Sequence, residues 1–217
     1  MLKYSLLIFI LLYANCAFCQ QDSDARIILE RVAEKTKSYK SIQADFELVI
    51  EDRKENIQTF SGGQILLKGN KYKVESMGSI VYFDGKTIWT YTEEFDEVII
   101  NEPDSLDDNF ISNPAKIFYW YNRDFKYRYV GETLVNDRKM HEIDLYPRNL
   151  DQPYSRFKIF IDVDKDILST IKVSGKDGID YLISIKNYIT NNELDDSIFT
   201  FDESKHKKVE IIDLREN

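Results

Sequence analysis

Residues 42–50, which read Ile42-Gln43-Ala44-Asp45-Phe46-Glu47-Leu48-Val49-Ile50, decide the fold. Apolar side chains occupy every second position from Ile42 to Ile50, and polar side chains fill the positions between them as far as Glu47. A period of two is that of a β-strand with one face buried and the other face in water. The stretch therefore predicts a half-buried strand.

The same alternation recurs along the chain, separated by turn residues such as Lys68-Gly69-Asn70 and Asp84-Gly85. Fourteen Tyr, thirteen Phe and two Trp, with only eight Gly and four Pro, also favour long strands. A mean hydropathy of −0.42 fits sheets with one apolar and one wet face. Further strands are predicted at residues 61–67, 72–74, 79–83, 87–91, 97–100, 138–146, 156–161, 167–173 and 179–188, and the strand region resumes from about residue 125.

Two segments break the period of two and predict helices. Asp22-Ser23-Asp24 supplies capping side chains before a helix at residues 23–39, whose Ile28, Val32 and Ala33 share one face. Asn113-Pro114 is typical of a helix start, and the segment that follows as far as Tyr121 is strongly aromatic. Both helices need an apolar surface to cover.

The first nineteen residues predict a secretory signal peptide. Lys3 precedes the unbroken apolar run from Leu6 to Leu12, and Ala17 and Cys19 occupy the small-residue positions of a cleavage site after Cys19. The run is too short for a membrane anchor, which needs about 20 apolar residues. A lipoprotein acylated on Cys16 or Cys19 stays an alternative. Residues 20–217 are then a single exported domain located in the periplasm.

Charge and cysteine content exclude several classes of function. The chain has 29 basic and 38 acidic residues, and loss of Lys3 leaves 28 against 38. Such an acidic protein has no general affinity for nucleic acid. Its two cysteines both lie in the leader, so the mature chain contains no thiol nucleophile and no disulfide.

No pattern of catalytic or metal-binding residues is found. His141 and His206 are isolated from each other, and no Gly-x-Ser-x-Gly elbow or phosphate-binding glycine loop occurs. Residues 162–166 resemble the start of a calcium loop, but Ile167 stands where that loop needs glycine and Val173 where it needs glutamate. A polar hairpin turn is the better interpretation. We expect no cofactor, no metal and no catalytic residue, although a carboxylate-based hydrolase stays a remote alternative.

Apolar surface is the remaining signal for function. The aligned apolar faces of consecutive long strands can form a filled core. If the sheet curls and the helices cover its mouth, the same faces can line a ligand cavity. The candidate lining residues for such a cavity are Phe46, Leu48, Ile50, Ile65, Leu67, Tyr72, Val74, Trp89, Tyr91, Ile117, Phe118, Trp120 and Tyr121. A charged residue at Phe46 or Trp89 is then expected to abolish lipid binding.

The chain resembles the periplasmic outer-membrane lipoprotein carrier (LolA-like) family. The strongest match is Asp84-Gly85-Lys86-Thr87-Ile88-Trp89-Thr90-Tyr91, which is similar to a hairpin of that family. Ser41–Phe46, Gly63–Lys68, Phe199-Thr200-Phe201 and the ending Val209–Arg215 resemble further segments in the family's order.

The resemblance implies a mainly β fold with α-helices, in which a strongly curved antiparallel sheet forms a half-open barrel with a helical lid. It also implies that a monomeric carrier shields lipoprotein acyl chains, receives them from an inner-membrane lipoprotein-releasing transporter, and passes them to an outer-membrane acceptor. A lipid- or peptide-binding sensor of the same fold is the alternative.

One departure concerns release of the cargo. Many family members carry an arginine in the hairpin after the second strand, where it tethers the lid. Here the hairpin reads Lys68-Gly69-Asn70-Lys71-Tyr72. Lysine lacks the planar guanidinium fork, so we assign no residue to lid gating.

Overall fold

The computed structural model describes residues 23–103 and 125–215. The predicted leader and the predicted helix at residues 113–121, with Ile117, Phe118, Trp120 and Tyr121, lie outside these ranges. Helix α1 covers residues 23–38, as the capping residues and apolar stripe predict. The strands are β1 (Ile42–Asp52), β2 (Ile57–Lys68), β3 (Lys71–Ser76), β4 (Ser79–Phe83), β5 (Ile88–Thr92), β6 (Glu97–Asn101), β7 (Phe125–Val135), β8 (Arg138–Pro147), β9 (Tyr154–Asp162), β10 (Ile167–Gly175), β11 (Ile179–Thr190) and β12 (Glu210–Asp213).

All the described strands belong to one sheet, in the order β12-β6-β5-β4-β3-β2-β1-β11-β10-β9-β8-β7. Two antiparallel meanders, β1–β6 and β7–β11, are joined where β1 pairs with β11. Of these strands, only β12 is parallel to its neighbour, β6. Because strands twist in one hand, a sheet of this width curls, and its edges β12 and β7 stay unpaired with each other. The predicted half-open, strongly curved sheet is confirmed.

Helix α1 packs on the concave face of the second meander. Its buried Ala25, Leu29 and Val32 contact an apolar cluster from β7–β11. The cluster's inward side chains include Ile143, Ile161 and Ile171, which are 0–1% exposed. Burial of apolar surface stabilises the folded state by about 25 cal/mol per Å². Because most of the buried apolar side chains lie between α1 and the second meander, these elements form the main core.

A second cluster lies on the same concave face at β1–β3, where Ile42, Ala44, Ile65 and Leu67 are buried. The ring of Tyr39, which follows α1, and that of Tyr188 meet edge to face over this cluster, with ring centroids 6.2 Å apart. These two aromatic rings therefore cover part of the second cluster.

The C-terminal segment covers the outer face of β4–β6. Phe201, 8% exposed, packs with Tyr91 and Val98, and Val209 lies beside them. Phe199-Thr200-Phe201 is not the closing strand that its sequence resembles, because Phe199 ends a 3₁₀ turn at Asp196–Phe199. Asp195 caps this turn by accepting a hydrogen bond from the amide of Ser197.

Residues 162–166 form the hairpin turn between β9 and β10, as predicted. Asp162 Oδ1 accepts the amide N–H groups of Asp164 and Lys165, so this carboxylate organises the turn itself. In the described ranges no helix is long and apolar enough to cross a membrane.

Candidate functional site

An apolar cleft of about 330 Å³ opens on the concave face where the two meanders meet. It lies beyond the part of the sheet that α1 covers. Its lining residues come from β1, the β3–β4 hairpin and β11: Phe46, Leu48, Ile50, Val74, Ser76, Met77, Ser79, Val81, Tyr181 and Ile183. Except for the exposed Met77 and the buried Val74, these side chains are half-buried.

The register explains why they converge. Leu48 lies opposite Ile183 and Ile50 opposite Tyr181, so β1 and β11 present adjacent apolar side chains to the same side. Val74 pairs with Val81 in the next hairpin. Between these walls β2 contributes small side chains, since Ser61 lies opposite Leu48 and Gly63 opposite Phe46. The small residues leave the space that the cleft occupies.

Phe46 rests directly on Gly63. A Cβ atom at Gly63 would lie 2.4 Å from Cζ of Phe46 and 2.4 Å from the carbonyl oxygen of Glu75, so only glycine fits beneath the ring. The neighbouring Gly62 faces the other side of the sheet, and a Cβ atom there would meet only the Phe46 carbonyl oxygen at 3.5 Å. Gly63 thus fixes one wall of the cleft.

Nine of the thirteen candidate residues fall in the described ranges, and the structure divides them into three groups. Phe46, Leu48, Ile50 and Val74 line the cleft. Ile65, Leu67 and Tyr72 are on the same face but are packed in the second cluster. Trp89 and Tyr91 lie on the opposite, outer face.

The placement of Trp89 and Tyr91 corrects the expectation that they share a face with Val74. Phe83 lies opposite Ile88 across the β4–β5 turn, which puts Trp89 opposite Tyr82 and Tyr91 opposite Ile80. Adjacent residues of a strand point to opposite faces, so Trp89 and Tyr91 point away from the cleft. A charged residue at Trp89 therefore perturbs the outer-face cluster, whereas one at Phe46 perturbs the cleft.

Sequence reasoning missed the contributions of β11 and of the β3–β4 hairpin, namely Ser76, Met77, Ser79, Val81, Tyr181 and Ile183. The alternation of Tyr181, Ile183 and Ile185 was a usable signal for one apolar face. The missing information was the pairing of β11 with β1, which joins residues far apart in the sequence.

The lining is suited to binding hydrocarbon and not to acid–base chemistry. Among the described residues that line the cleft, none is Asp, Glu, His, Lys or Arg. Burial raises the pKa of the Tyr181 hydroxyl, and the nearby Asp177 raises it further. This phenol therefore stays neutral at physiological pH. Another cavity, of about 380 Å³, is lined instead by Arg26, Lys126 and Arg148.

The titratable groups that could form a catalytic site are dispersed. His141 lies on the concave side, with Nδ1 3.1 Å from the Tyr129 hydroxyl, and burial lowers its pKa. His206 stacks on Phe201 at the outer face, with ring centroids 4.8 Å apart. Within the described ranges, no three His, Cys, Asp or Glu side chains are grouped to hold a metal ion.

Among the described residues three carboxylates are buried, and each has an arginine partner. Arg128 Nη2 lies 2.8 Å from Asp144, Arg138 Nη1 lies 3.4 Å from Asp162, and Arg53 Nε lies 3.3 Å from Asp180. None of the three lines the cleft. They hold the sheet together at positions away from the apolar site.

The lysines of the β2–β3 hairpin hold the C-terminal segment. Lys68 Nζ and Lys71 Nζ each lie 2.8 Å from a different carboxylate oxygen of Asp196, and Lys68 also donates to the carbonyl oxygen of Leu194. The two hydrogen bonds lower the pKa of Asp196 to about 2. Both ammonium groups of this hairpin are thus engaged by the C-terminal segment.

Comparison with known proteins gives a family and a fold. The family model described as outer membrane lipoprotein carrier protein LolA matches residues 37–202. An uncharacterized protein from Methanocaldococcus jannaschii is 25% identical over 201 residues, which cover 92% of this chain and 58% of that protein's length.

Among solved structures, an uncharacterized conserved protein from Thermus thermophilus superposes with a TM-score of 0.60 at 12% identity, covering 88% of this chain and 99% of its own. A LolA superfamily protein from Nitrosomonas europaea matches with a TM-score of 0.45 at 14% identity, covering 82% and 97% respectively.

Proposed function

We propose that this chain, which belongs to the outer membrane lipoprotein carrier protein LolA family, is a periplasmic carrier that shields the acyl chains of lipoproteins in its apolar cleft. The observation that carries the proposal is the cleft itself, which has a volume of about 330 Å³, is lined mostly by aliphatic and aromatic side chains, and has no charged group among its described lining residues.

The energetics favour hydrocarbon as the ligand. Each CH₂ group removed from water contributes about 0.8 kcal/mol, so even one acyl chain supplies enough driving force for stable binding. Ligand pockets usually have volumes of about 300–1,000 Å³, and the cleft lies at the lower end of this range. We infer that it takes one acyl chain or part of a larger lipid.

The proposed route follows from the leader and the family. The apolar run from Leu6 to Leu12 directs export, the mature protein accepts a lipoprotein from an inner-membrane transporter, and an outer-membrane acceptor receives it. The carrier acts as a monomer and without a cofactor. Because binding rests on apolar contact, transfer needs no catalytic residue.

A fluorescent fatty-acid probe tests the cleft with two neighbouring residues of β11. Ile183 lines the cleft, whereas Leu182 points to the outer face and is 37% exposed. We expect Ile183→Asp to weaken probe binding at least about tenfold, because it places a charge against hydrocarbon, and Leu182→Asp to leave binding unchanged.

The assay is paired with mass spectrometry of lipid that co-purifies with the protein and with a test of whether the protein keeps an acylated lipoprotein soluble. Circular dichroism of both variants checks folding. Equal probe affinity for wild type and Ile183→Asp would place the ligand elsewhere, and absence of any probe binding would refute the carrier proposal.

A sensor that binds lipid without transporting it is the second candidate. It is favoured by the hairpin lysines, which engage Asp196 where a carrier of this family would tether its lid. Mass spectrometry of the N-terminus separates the two candidates. An acylated Cys16 or Cys19 would anchor a sensor to the membrane, whereas a start at Gln20 fits a mobile carrier.

A further inference from the structure

Strand β2 is twice as long as the part of it that β3 covers. It pairs with β1 from Ile57, opposite Asp52, to Leu67, opposite Ile42, which is all of the strand except Lys68. It pairs with β3 only from Gly63 to Lys68. In the described ranges no strand pairs with residues 57–61 on the side away from β1, and we call this segment the open edge.

The open edge lacks the usual protection of a strand edge. An unpaired strand presents a row of backbone N–H and C=O groups that can template another strand, and proteins commonly block such edges with lysine, proline or a bulge. Residues 57–61 contain neither lysine nor proline, and β2 pairs with β1 without a bulge. Ile57 and Phe60 are 58% and 72% exposed.

The open edge runs alongside the cleft. Thr59 lies opposite Ile50 and Ser61 opposite Leu48, and both partners on β1 line the cleft. The ladder with β3 stops where the Ser76 hydroxyl donates to the carbonyl oxygen of Gly62 at 3.3 Å. A strand added to residues 57–61 would therefore continue the line of β3 and border the apolar site.

We propose that the open edge binds, by strand addition, the extended peptide that follows the acylated residue of a lipoprotein. This inference rests on the proposed function, because the acyl chain occupies the cleft while the peptide pairs with β2. Strand addition gains affinity from backbone hydrogen bonds and therefore tolerates many sequences. A carrier of diverse lipoproteins needs that tolerance.

A polar recess adds a preference for charge. It has a volume of about 430 Å³, lies at the end of β3, and is lined by Gly62, Gly63, Glu75 and Glu93 among others. Phe60 of the open edge faces the same outer side as Gly62, two residues away, so a peptide residue opposite Phe60 also points outward, next to the recess. The carboxylates of Glu75 and Glu93 favour a lysine or arginine at this position of the cargo peptide.

Three ligands test the proposal: an acylated peptide of about eight residues, the same acyl chain as a simple amide, and the peptide without its acyl chain. We expect the acylated peptide to bind about tenfold tighter than the simple amide, because the backbone hydrogen bonds of an added strand contribute to its affinity. Hydrogen exchange should show that the acylated peptide protects the amide N–H groups of residues 57–61 that point away from β1, and that the simple acyl amide does not.

Equal affinities without new protection would overturn strand addition and leave the carrier proposal intact. If neither acylated ligand binds, the carrier proposal itself fails.

Thr59→Pro and Phe60→Pro supply an internal control, because neighbouring amides of a strand alternate between pointing toward β1 and pointing away. One of these variants loses a backbone N–H that points away from β1. That variant should keep its stability and its affinity for the simple acyl amide, but it should no longer bind the acylated peptide more tightly than the simple acyl amide. If both variants still bound the acylated peptide more tightly than the simple acyl amide, the result would contradict the proposal.

The charge preference is tested with a peptide series that carries Lys or Glu at successive positions. We expect tighter binding of the Lys form at one position, and loss of that difference in the Glu75→Gln, Glu93→Gln double variant. Equal binding of the two forms at every position would overturn the role of the recess.

Discussion

The two halves of the concave face are built from similar apolar side chains and yet are packed differently. Over β8–β10, Ile143, Ile159 and Ile171 are 0–3% exposed because α1 lies on them. Over β1–β4, beyond the buried second cluster, Phe46, Leu48 and Ile50 stay half-buried around an open cleft. The difference indicates that one half supplies stability and the other half holds apolar surface available for a ligand.

A matched pair of leucines should show the largest difference between the two halves. Leu29 on α1 is 1% exposed, whereas Leu48 is half-buried in the cleft wall. We expect Leu29→Ala to lower the free energy of unfolding by about 2–5 kcal/mol, because it leaves a cavity in the main core. Leu48→Ala should lower the free energy of unfolding by about 1 kcal/mol or less.

Urea denaturation of both variants measures the difference, and fatty-acid binding should show the reverse order. Equal destabilisation by the two substitutions would mean that the cleft is part of the core and not a ligand site.

A smaller effect is expected from the two adjacent glycines of β2. Gly63→Ala forces its Cβ atom against Phe46 and the Glu75 carbonyl, so it should destabilise the protein by about 1–3 kcal/mol and displace the Phe46 ring toward the cleft. Gly62→Ala meets no close contact and should be neutral or slightly stabilising.

Thermal unfolding combined with probe binding compares the two glycine variants. An unchanged probe affinity in Gly63→Ala would show that Phe46 is not a wall of the ligand site.

The smallest predicted effect concerns pH. The two hairpin lysines hold the pKa of Asp196 at about 2 in the folded state, against 3.8 for the free side chain. A depressed folded pKa contributes stability that is present above pH 3.8 and is lost as the pH falls toward 2. The stability of wild type should therefore decrease over this range more than that of Asp196→Asn.

Denaturation curves from mildly acidic pH down to about pH 2 check this prediction. Parallel pH profiles for the two proteins would show that the contact of Asp196 with Lys68 and Lys71 is too weak to hold the C-terminal segment. This exposed contact concerns neither half of the concave face, so ligand binding should not change.

The sequence predicts the strands well because a half-buried strand has a period of two, and β1 shows that period over most of its length. It fails to predict the faces of β4 and β5. There the outward Ile80 and Tyr82 are as apolar as the inward Val81 and Phe83, because the C-terminal segment covers the outer face. With both faces apolar, alternation cannot tell which side of a strand lines the cleft.

The cleft also depends on contacts that no local pattern encodes. Its walls meet because β1 pairs with β11, and its space exists because Ser61 and Gly63 place small groups between larger ones. The sequence reveals the small residues, but only the register shows that they lie beneath Phe46 and beside Leu48. Phe46, Leu48, Ile50 and Val74 were found because local alternation marks them, and the β11 residues were not.

The outer-face cluster has a consequence for the order of folding. Tyr91 and Val98 are covered by Phe201, and the edge of β6 is paired by β12, so elements from the first half of the chain are completed by its last residues. The central pairing of Ile42 with Thr190 also waits for a late segment. Such long-range pairing slows folding. A chain that is released N-terminus first therefore cannot complete its sheet until nearly all of its residues have been released.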